Sequence, residues 1–330
     1  MTRAIVARAP TRLDFGGGWT DVPPYCEREG GAVCSVAITR FATATAATSE
    51  HAARRMGAEL IAPDAIVSAA LRRANLPGAV ATIATDFPYG AGLGGSSACG
   101  VALAGALAAL TGNPLDLGEL AMRSRATEVE ELRIVGGYQD HYAAAFGGAL
   151  LLTFSDCVGV ETLSVSERFA ADLARRGVLL YTGESRLSGD TVAAVIDSYM
   201  RGEPRTCGSL ARLKSLAVDM AAAIRDDDLD SLGALTGEHW SHQRLLHASI
   251  STPRIDAIVD VASRAGALGI KALGASGGGC VIAIARDGRE DELTHALAPF
   301  GDRLPFGIDR DGFSIIASID ERHDVETIEP

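Results

Sequence analysis

The 330-residue chain is 47% hydrophobic, enough for two packed domains of ordinary size. Its formal net charge of −12 argues against a nucleic-acid or membrane-surface partner, since either would need a basic face. A nucleotide held at a local site stays open. No apolar run is long enough to span a bilayer and residues 1–6 contain no signal-peptide core, so a soluble cytoplasmic protein is expected.

In chain order, residues 4–9 read as a short strand ended by Pro10. The loop Gly16-Gly17-Gly18-Trp19-Thr20-Asp21 and then Pro23-Pro24 follow. Residues 32–38 and 41–47, β-branched and small, with Thr39-Arg40 between them, predict a hairpin. Helical spacing over 64–74 and alternation over 80–85 predict a helix and a strand. The strand leads into Pro88-Tyr89-Gly90-Ala91-Gly92-Leu93-Gly94-Gly95-Ser96-Ser97-Ala98. An apolar helix follows and stops near Gly112-Asn113-Pro114. Another helix runs over 116–132, Gly136-Gly137 breaks it, 138–146 restarts it, and 149–154 is a strand. Beyond residue 155 the pattern shifts to a strand at 178–182 and helices at 189–200, 209–224, 229–246 and 253–265. Strand 270–273, Gly277-Gly278-Gly279, strand 280–284, helix 291–297 and strand 313–319 complete it. Strands and helices do not alternate strictly. Two α+β domains, 1–155 and 156–330, are therefore expected rather than one doubly wound sheet. The six cysteines (Cys26, Cys34, Cys99, Cys157, Cys207, Cys280) form no CxxC pair or His–Cys cluster, and read as buried thiols of a reduced compartment.

The glycine loop at 90–95 is the most informative segment. Glycine admits φ > 0 and close ligand approach, the serines cap the next helix, and a helix N-terminus attracts phosphate. Gly90-x-Gly92-x-x-Gly95 matches a dinucleotide fingerprint, but no second strand ending in an acid follows. No Gly-Lys-Ser/Thr follows the glycines either, so a Walker A loop is absent. Taken alone, the loop leaves a tight packing turn and a phosphate cradle about even.

Three segments in order resemble the GHMP kinase superfamily. They are Ala9-Pro10-Thr11-Arg12-Leu13-Asp14-Phe15-Gly16-Gly17-Gly18-Trp19-Thr20-Asp21, the loop above, and Lys271-Ala272-Leu273-Gly274-Ala275-Ser276-Gly277-Gly278-Gly279-Cys280. The resemblance spans nearly the whole chain. It implies a ribosomal protein S5 domain 2-like N-terminal half that binds ATP, and a ferredoxin-like C-terminal half. It also implies that Gly90, Gly92, Leu93, Gly94, Gly95, Ser96 and Ser97 cradle the ATP phosphates, and that Ser97 and Glu128 hold Mg²⁺. Glu130 and Glu131 stand close by, and the family register selects Glu128. Asp140 matches the catalytic aspartate and Arg12 its arginine partner, which would keep the carboxylate ionised. His141 receives no role. Asp21 matches a position that binds sugar hydroxyls; Gly18, Trp19, Arg186, Gly277 and Gly278 are expected at the substrate.

At finer scale, the segments around Trp19, Asp140 and Tyr181-Thr182-Gly183-Glu184-Ser185-Arg186 resemble D-glycero-D-manno-heptose 7-phosphate kinases. Trp19 departs toward the L-fucokinases, and Ser276 replaces a glycine of the third motif. A 7-phosphate would need a cationic pocket, for which Arg186, Arg244 and Lys271 are the candidates. The expectation is an ATP-dependent kinase, monomeric or homodimeric, acting on the anomeric hydroxyl of a heptose phosphate. L-Fucose, other sugars and C7-cyclitols stay open as acceptors. Two rivals remain: a catalytically silent sugar sensor, disfavoured by Arg12, Asp140, Glu128 and Ser97 standing together, and a mevalonate-type decarboxylase, disfavoured by Gly18-Trp19-Thr20-Asp21.

Overall fold

The computed structural model describes residues 3–59, 64–184, 189–320 and 323–326. In chain order it runs β1 (Arg3–Gly16), α1 (Tyr25–Glu29), β2 (Gly31–Ala47), α2 (Glu50–Arg55), α3 (Ala65–Arg73) and β3 (Val80–Thr85). Then come α4 (Gly95–Leu110), α5 (Leu117–Ala126), a π-helical turn (Thr127–Glu131), α6 (Gln139–Phe146), β4 (Ala149–Phe154) and β5 (Val158–Leu163). The second half holds α7 (Glu167–Arg176), β6 (Gly177–Tyr181), α8 (Gly189–Met200), α9 (Pro204–Arg225), α10 (Leu229–Gln243) and α11 (Pro253–Arg264). It ends with β7 (Ala267–Ala272), β8 (Cys280–Ala285), α12 (Glu290–Leu297), β9 (Asp302–Arg303), β10 (Ser314–Asp320) and β11 (His323–Glu326).

Two sheets organise these elements into an α+β fold. The larger has the order β11-β10-β1-β2-β4-β5, with β3 also pairing to β2. The smaller has the order β7-β8-β6-β9, antiparallel throughout. α4 packs on β1 and β2 of the larger sheet and is flanked by α5 and α6. It is buried over nearly all its length from Ser97 onward, which is why it is apolar all round rather than on one stripe. Side-chain caps set several other helix starts. Asp116 and Glu119 form a reciprocal capping box on α5, and Asp64 and Ser166 cap α3 and α7.

Four expectations are corrected. The strand ended by Pro10 instead runs on to Gly16; the register slips between Pro10 and Thr11, where the imino nitrogen has no ladder bond to lose. The hairpin over 32–47 is one 17-residue strand, β2. Thr39 and Arg40 lack the φ > 0 preference a two-residue turn demands, so the chain stays extended and leaves Thr39 exposed to solvent there. Strand β5 and helix α7 were not anticipated. Of the cysteines, Cys157 is exposed and Cys207 half-buried, while the other four are buried.

The pattern change near residue 155 falls between β4 and β5, which pair along their full length. β10, near the other end of the chain, pairs with β1. The larger sheet thus draws strands from both sides of that point. No helix among the described residues is long and apolar enough to cross a membrane.

Candidate active site

A cleft of about 140 Å³ opens where β1, the first turn of α4 and the first turn of α6 converge; Gly90, Gly92, Leu93, Gly94, Gly95 and Ser96 do not line it. Strand β1 supplies Arg12 and Asp14, the turn after it Gly18, Trp19 and Asp21, and α6 Gln139, Asp140 and His141. Ser97 and Glu128 line the same cleft.

The glycine loop is shaped by backbone conformation. Gly94 caps α4 in the left-handed region at φ 72°, and a Cβ there would lie 3.1–3.3 Å from the Asp140 carboxyl group. Only glycine meets both conditions. Gly90 and Gly92 are left-handed too. The first helical bond of α4 runs from Ala98 N–H to Gly94 O, so the amides of Gly95, Ser96 and Ser97 stand ahead of the ladder at its positive end. Leu93 is buried in the core; its role at the loop is through its carbonyl, which accepts the Arg12 N–H at 3.0 Å. The third glycine motif braces this loop from behind, with Cys280 N–H donating to Ala91 O at 2.7 Å.

Arg12, 3% exposed, donates from Nε to Asp140 Oδ1 at 2.7 Å and from Nη1 to Gly92 O at 2.7 Å. Burial opposes its charge, but Asp140 and Asp14 outweigh that and hold the guanidinium protonated above its ordinary range. Asp140 is 28% exposed, open to the cleft.

Asp21 is buried, and its Oδ2 accepts the N–H groups of Tyr138 and Gln139 at 2.8 and 2.9 Å. Its Oδ1 is buried without a partner in the structure. Burial, with Asp140 nearby, raises its pKa despite the two amides. An orphaned acceptor at a cleft wall suits a ligand hydroxyl donor.

Glu128 sits on the π-helical turn, 9% exposed as a side chain. Ser96 Oγ donates to its Oε1 at 2.5 Å, and His141 Nε2 lies 3.3 Å from its Oε2. Burial works against this carboxylate, yet His141, Ser96 and Ser97 lower its pKa below the usual value. Glu130 and Glu131 point instead toward Arg73 and Arg72 in outer ion pairs. A carboxylate with two adjacent hydroxyls fits Mg²⁺, which takes few protein oxygens and keeps several waters.

Some expected residues lie elsewhere. Gly277 and Gly278 do not line the cleft: Gly277 N–H donates to Ile250 O, and a Cβ at Gly278 would press on Glu184 O. Gly274 and Ala275 of the same motif do line it. Lys271 is fully buried against Asp14, which removes it as a phosphate-binding cation, and Arg244 is exposed at the end of α10. Arg186 lies outside the described residues. Conversely, sequence reasoning gave no role to His141, which joins Glu128 to Ser124 (Nδ1 to Oγ, 2.9 Å) and approaches Ser97 at 3.4 Å.

The models of the GHMP kinases N terminal domain and GHMP kinases C terminal match residues 62–148 and 220–302. The chain belongs to the GHMP kinases and is an ATP-dependent phosphotransferase of the sugar-kinase type. It is 26% identical to the D-glycero-alpha-D-manno-heptose 7-phosphate kinase of Campylobacter jejuni, over 89% of this chain and 93% of that one. It is 27% identical to the L-fucokinase/L-fucose-1-P guanylyltransferase of Bacteroides fragilis, over 86% of this chain but only 35% of that longer protein. The solved D-glycero-D-manno-heptose 1-phosphate kinase from Bacteroides thetaiotaomicron superposes with a TM-score of 0.73 at 24% identity, covering 97% and 99% of the two chains.

Proposed function

We propose that this kinase transfers the γ-phosphoryl group of ATP to the anomeric hydroxyl of a D-glycero-D-manno-heptose 7-phosphate. The observation that carries the reading is the Arg12–Asp140 pair pressed against Gly94 of the phosphate loop, with the orphaned Oδ1 of Asp21 in the same cleft. The amides at the start of α4 hold the ATP phosphates. Asp21 accepts a sugar hydroxyl proton at Oδ1 and orients the ring. Asp140 aligns the attacking hydroxyl and takes its proton as the oxygen bonds to the γ-phosphorus and the bond to ADP breaks. Arg12 holds Asp140 through its Nε–Oδ1 contact at 2.7 Å and adds positive charge beside the transferring group. Ser97 and Glu128 hold Mg²⁺, with Ser96 and His141 orienting the glutamate; the ion, when bound, neutralises charge on the phosphate oxygens. Residues 1–155 supply most of the phosphate-loop domain, β5, β10 and β11 complete its sheet, and the rest of 156–330 braces it.

A second acceptor has an observation in its favour. Trp19, Val22 and Val192 give the cleft one apolar wall, which suits the methyl group of a 6-deoxy sugar such as L-fucose. The test is ADP release from heptose 7-phosphate, unphosphorylated heptoses, L-fucose and C7-cyclitols, with the product position read by NMR. The heptose phosphate should show the highest kcat/KM, and L-fucose ranking first would replace it. Tight sugar binding with no ADP released from any acceptor would leave only a sensor.

A further inference from the structure

Beside Arg12 lies a buried ion pair that the transfer step does not use, with Asp14 at the cleft wall and Lys271 beneath it. Lys271 of β7 is fully buried and Asp14 of β1 is 2% exposed, with Lys271 Nζ 3.4 Å from Asp14 Oδ2. The ammonium also donates to the backbone carbonyls of Asp14 and Phe15. Asp14 Oδ1 accepts the Gly274 N–H at 3.3 Å and lies 3.8 Å from Arg12 Nη1. The side chains therefore form an alternating series, Lys271, Asp14, Arg12, Asp140, that starts on the smaller sheet and ends at the cleft.

Arg12 and Asp140 already balance each other. Adding Asp14 and Lys271 takes two more charges out of water, and a pair of apolar side chains would pack these strands at least as well. What the extra pair does supply is direction. Gly92 O accepts from the Nη1 end of the guanidinium at 2.7 Å and Asp14 Oδ1, 3.8 Å away, attracts the same end, which leaves Nε facing Asp140. Lys271 holds Oδ2 of Asp14 on the far side, so that Oδ1 is the oxygen presented to Arg12. We propose that Lys271 and Asp14 are positioning residues that transmit the seating of the smaller sheet to Arg12, and through it set the aim of Asp140. This rests on the reading of Asp140 and Arg12 given above.

Asp14→Asn keeps the shape of the site and lets Lys271 shed its proton, so it is the variant that preserves the fold; Lys271→Met is its counterpart. In steady-state kinetics both should lose about tenfold or more in kcat, with KM for ATP and for the acceptor within about threefold of the parent. In an Asp140→Asn background, Asp14→Asn should add little further loss, because it acts through that carboxylate. An Asp14→Asn enzyme with parental kcat overturns the inference. So does one that loses only acceptor KM, or one whose loss adds fully to that of Asp140→Asn. Parental turnover in Asp140→Asn itself overturns the reading of the site instead.

Discussion

Asp140 and Asp21 are both carboxylates of one cleft, and their surroundings separate their tasks. Asp140 is partly open and paired with a guanidinium, so it is available to the acceptor proton. Asp140→Asn should lower kcat by roughly 100-fold or more while ATP still binds, measured by turnover together with nucleotide titration. Asp21 is held by two amides but is raised in pKa by burial. A carboxyl group raised on folding binds its proton more tightly in the native state. Stability therefore falls as pH climbs from the unfolded value through the folded one, and stays lower above it. Asp21→Asn can still accept both amides without the buried charge. It should melt at a higher temperature than the parent at pH 7, with the gap closing as pH drops below about 4, while its KM for the acceptor rises. A lower melting temperature at pH 7 would remove the argument from the buried charge. Of these residues, Arg12, Asp21 and Asp140 stood out because they sit in or beside glycine-rich segments that resemble the family's motifs, and Glu128 through the family register alone. His141 did not, because its neighbour Asp140 already took the cleft. One residue of helix rotates a side chain by about 100°, enough to carry His141 to Glu128 and Ser124 on the adjoining wall.

At the scale of elements, adjacent glycines have different duties. A Cβ on Gly137 would lie 1.9 Å from Asp21 Oδ2, whereas one on Gly136 would meet nothing within 4 Å. Gly137→Ala should therefore drive Asp21 from its amides, costing upward of about 2 kcal/mol of stability and weakening acceptor binding. Gly136→Ala should be within about 0.5 kcal/mol of the parent. Denaturant unfolding of the two variants decides it, and equal behaviour would contradict the geometry. The helices were largely readable because their starts carry local signals such as Asp64 and Asp116, and some stops carry glycine, as Gly147 does for α6. The strands were less so. β2 passes through Thr39 and Arg40, which have no partner on β1, without turning, because its pairing with β1 continues on both sides of the register slip at Pro10. That continuity depends on a distant partner, which local propensity cannot report.

For the whole molecule, the larger sheet is not contiguous in sequence. β10 covers β1 in antiparallel register from Arg3↔Asp320 to Arg8↔Ser314. Removing residues from 314 onward should abolish the cooperative thermal transition seen by circular dichroism, although every proposed catalytic residue would remain. A parental melt from that truncation would show the sheet to be complete without β10. The α+β class was readable from the order of elements; the return of the last strands to the first sheet was not, since residues 313–319 announce a strand but not its partner.

That return has a consequence for how the protein is made. β1 leaves the ribosome first and meets β2 early, yet its other edge waits for residues 314–320. At about 5–20 residues per second, roughly 15–60 s separate the two events. For that interval the nascent chain carries an open strand edge beside apolar residues such as Ile5, in a form suited to pairing with another nascent chain. A chaperone that masks the edge should therefore raise the yield of folded enzyme without touching a single catalytic residue.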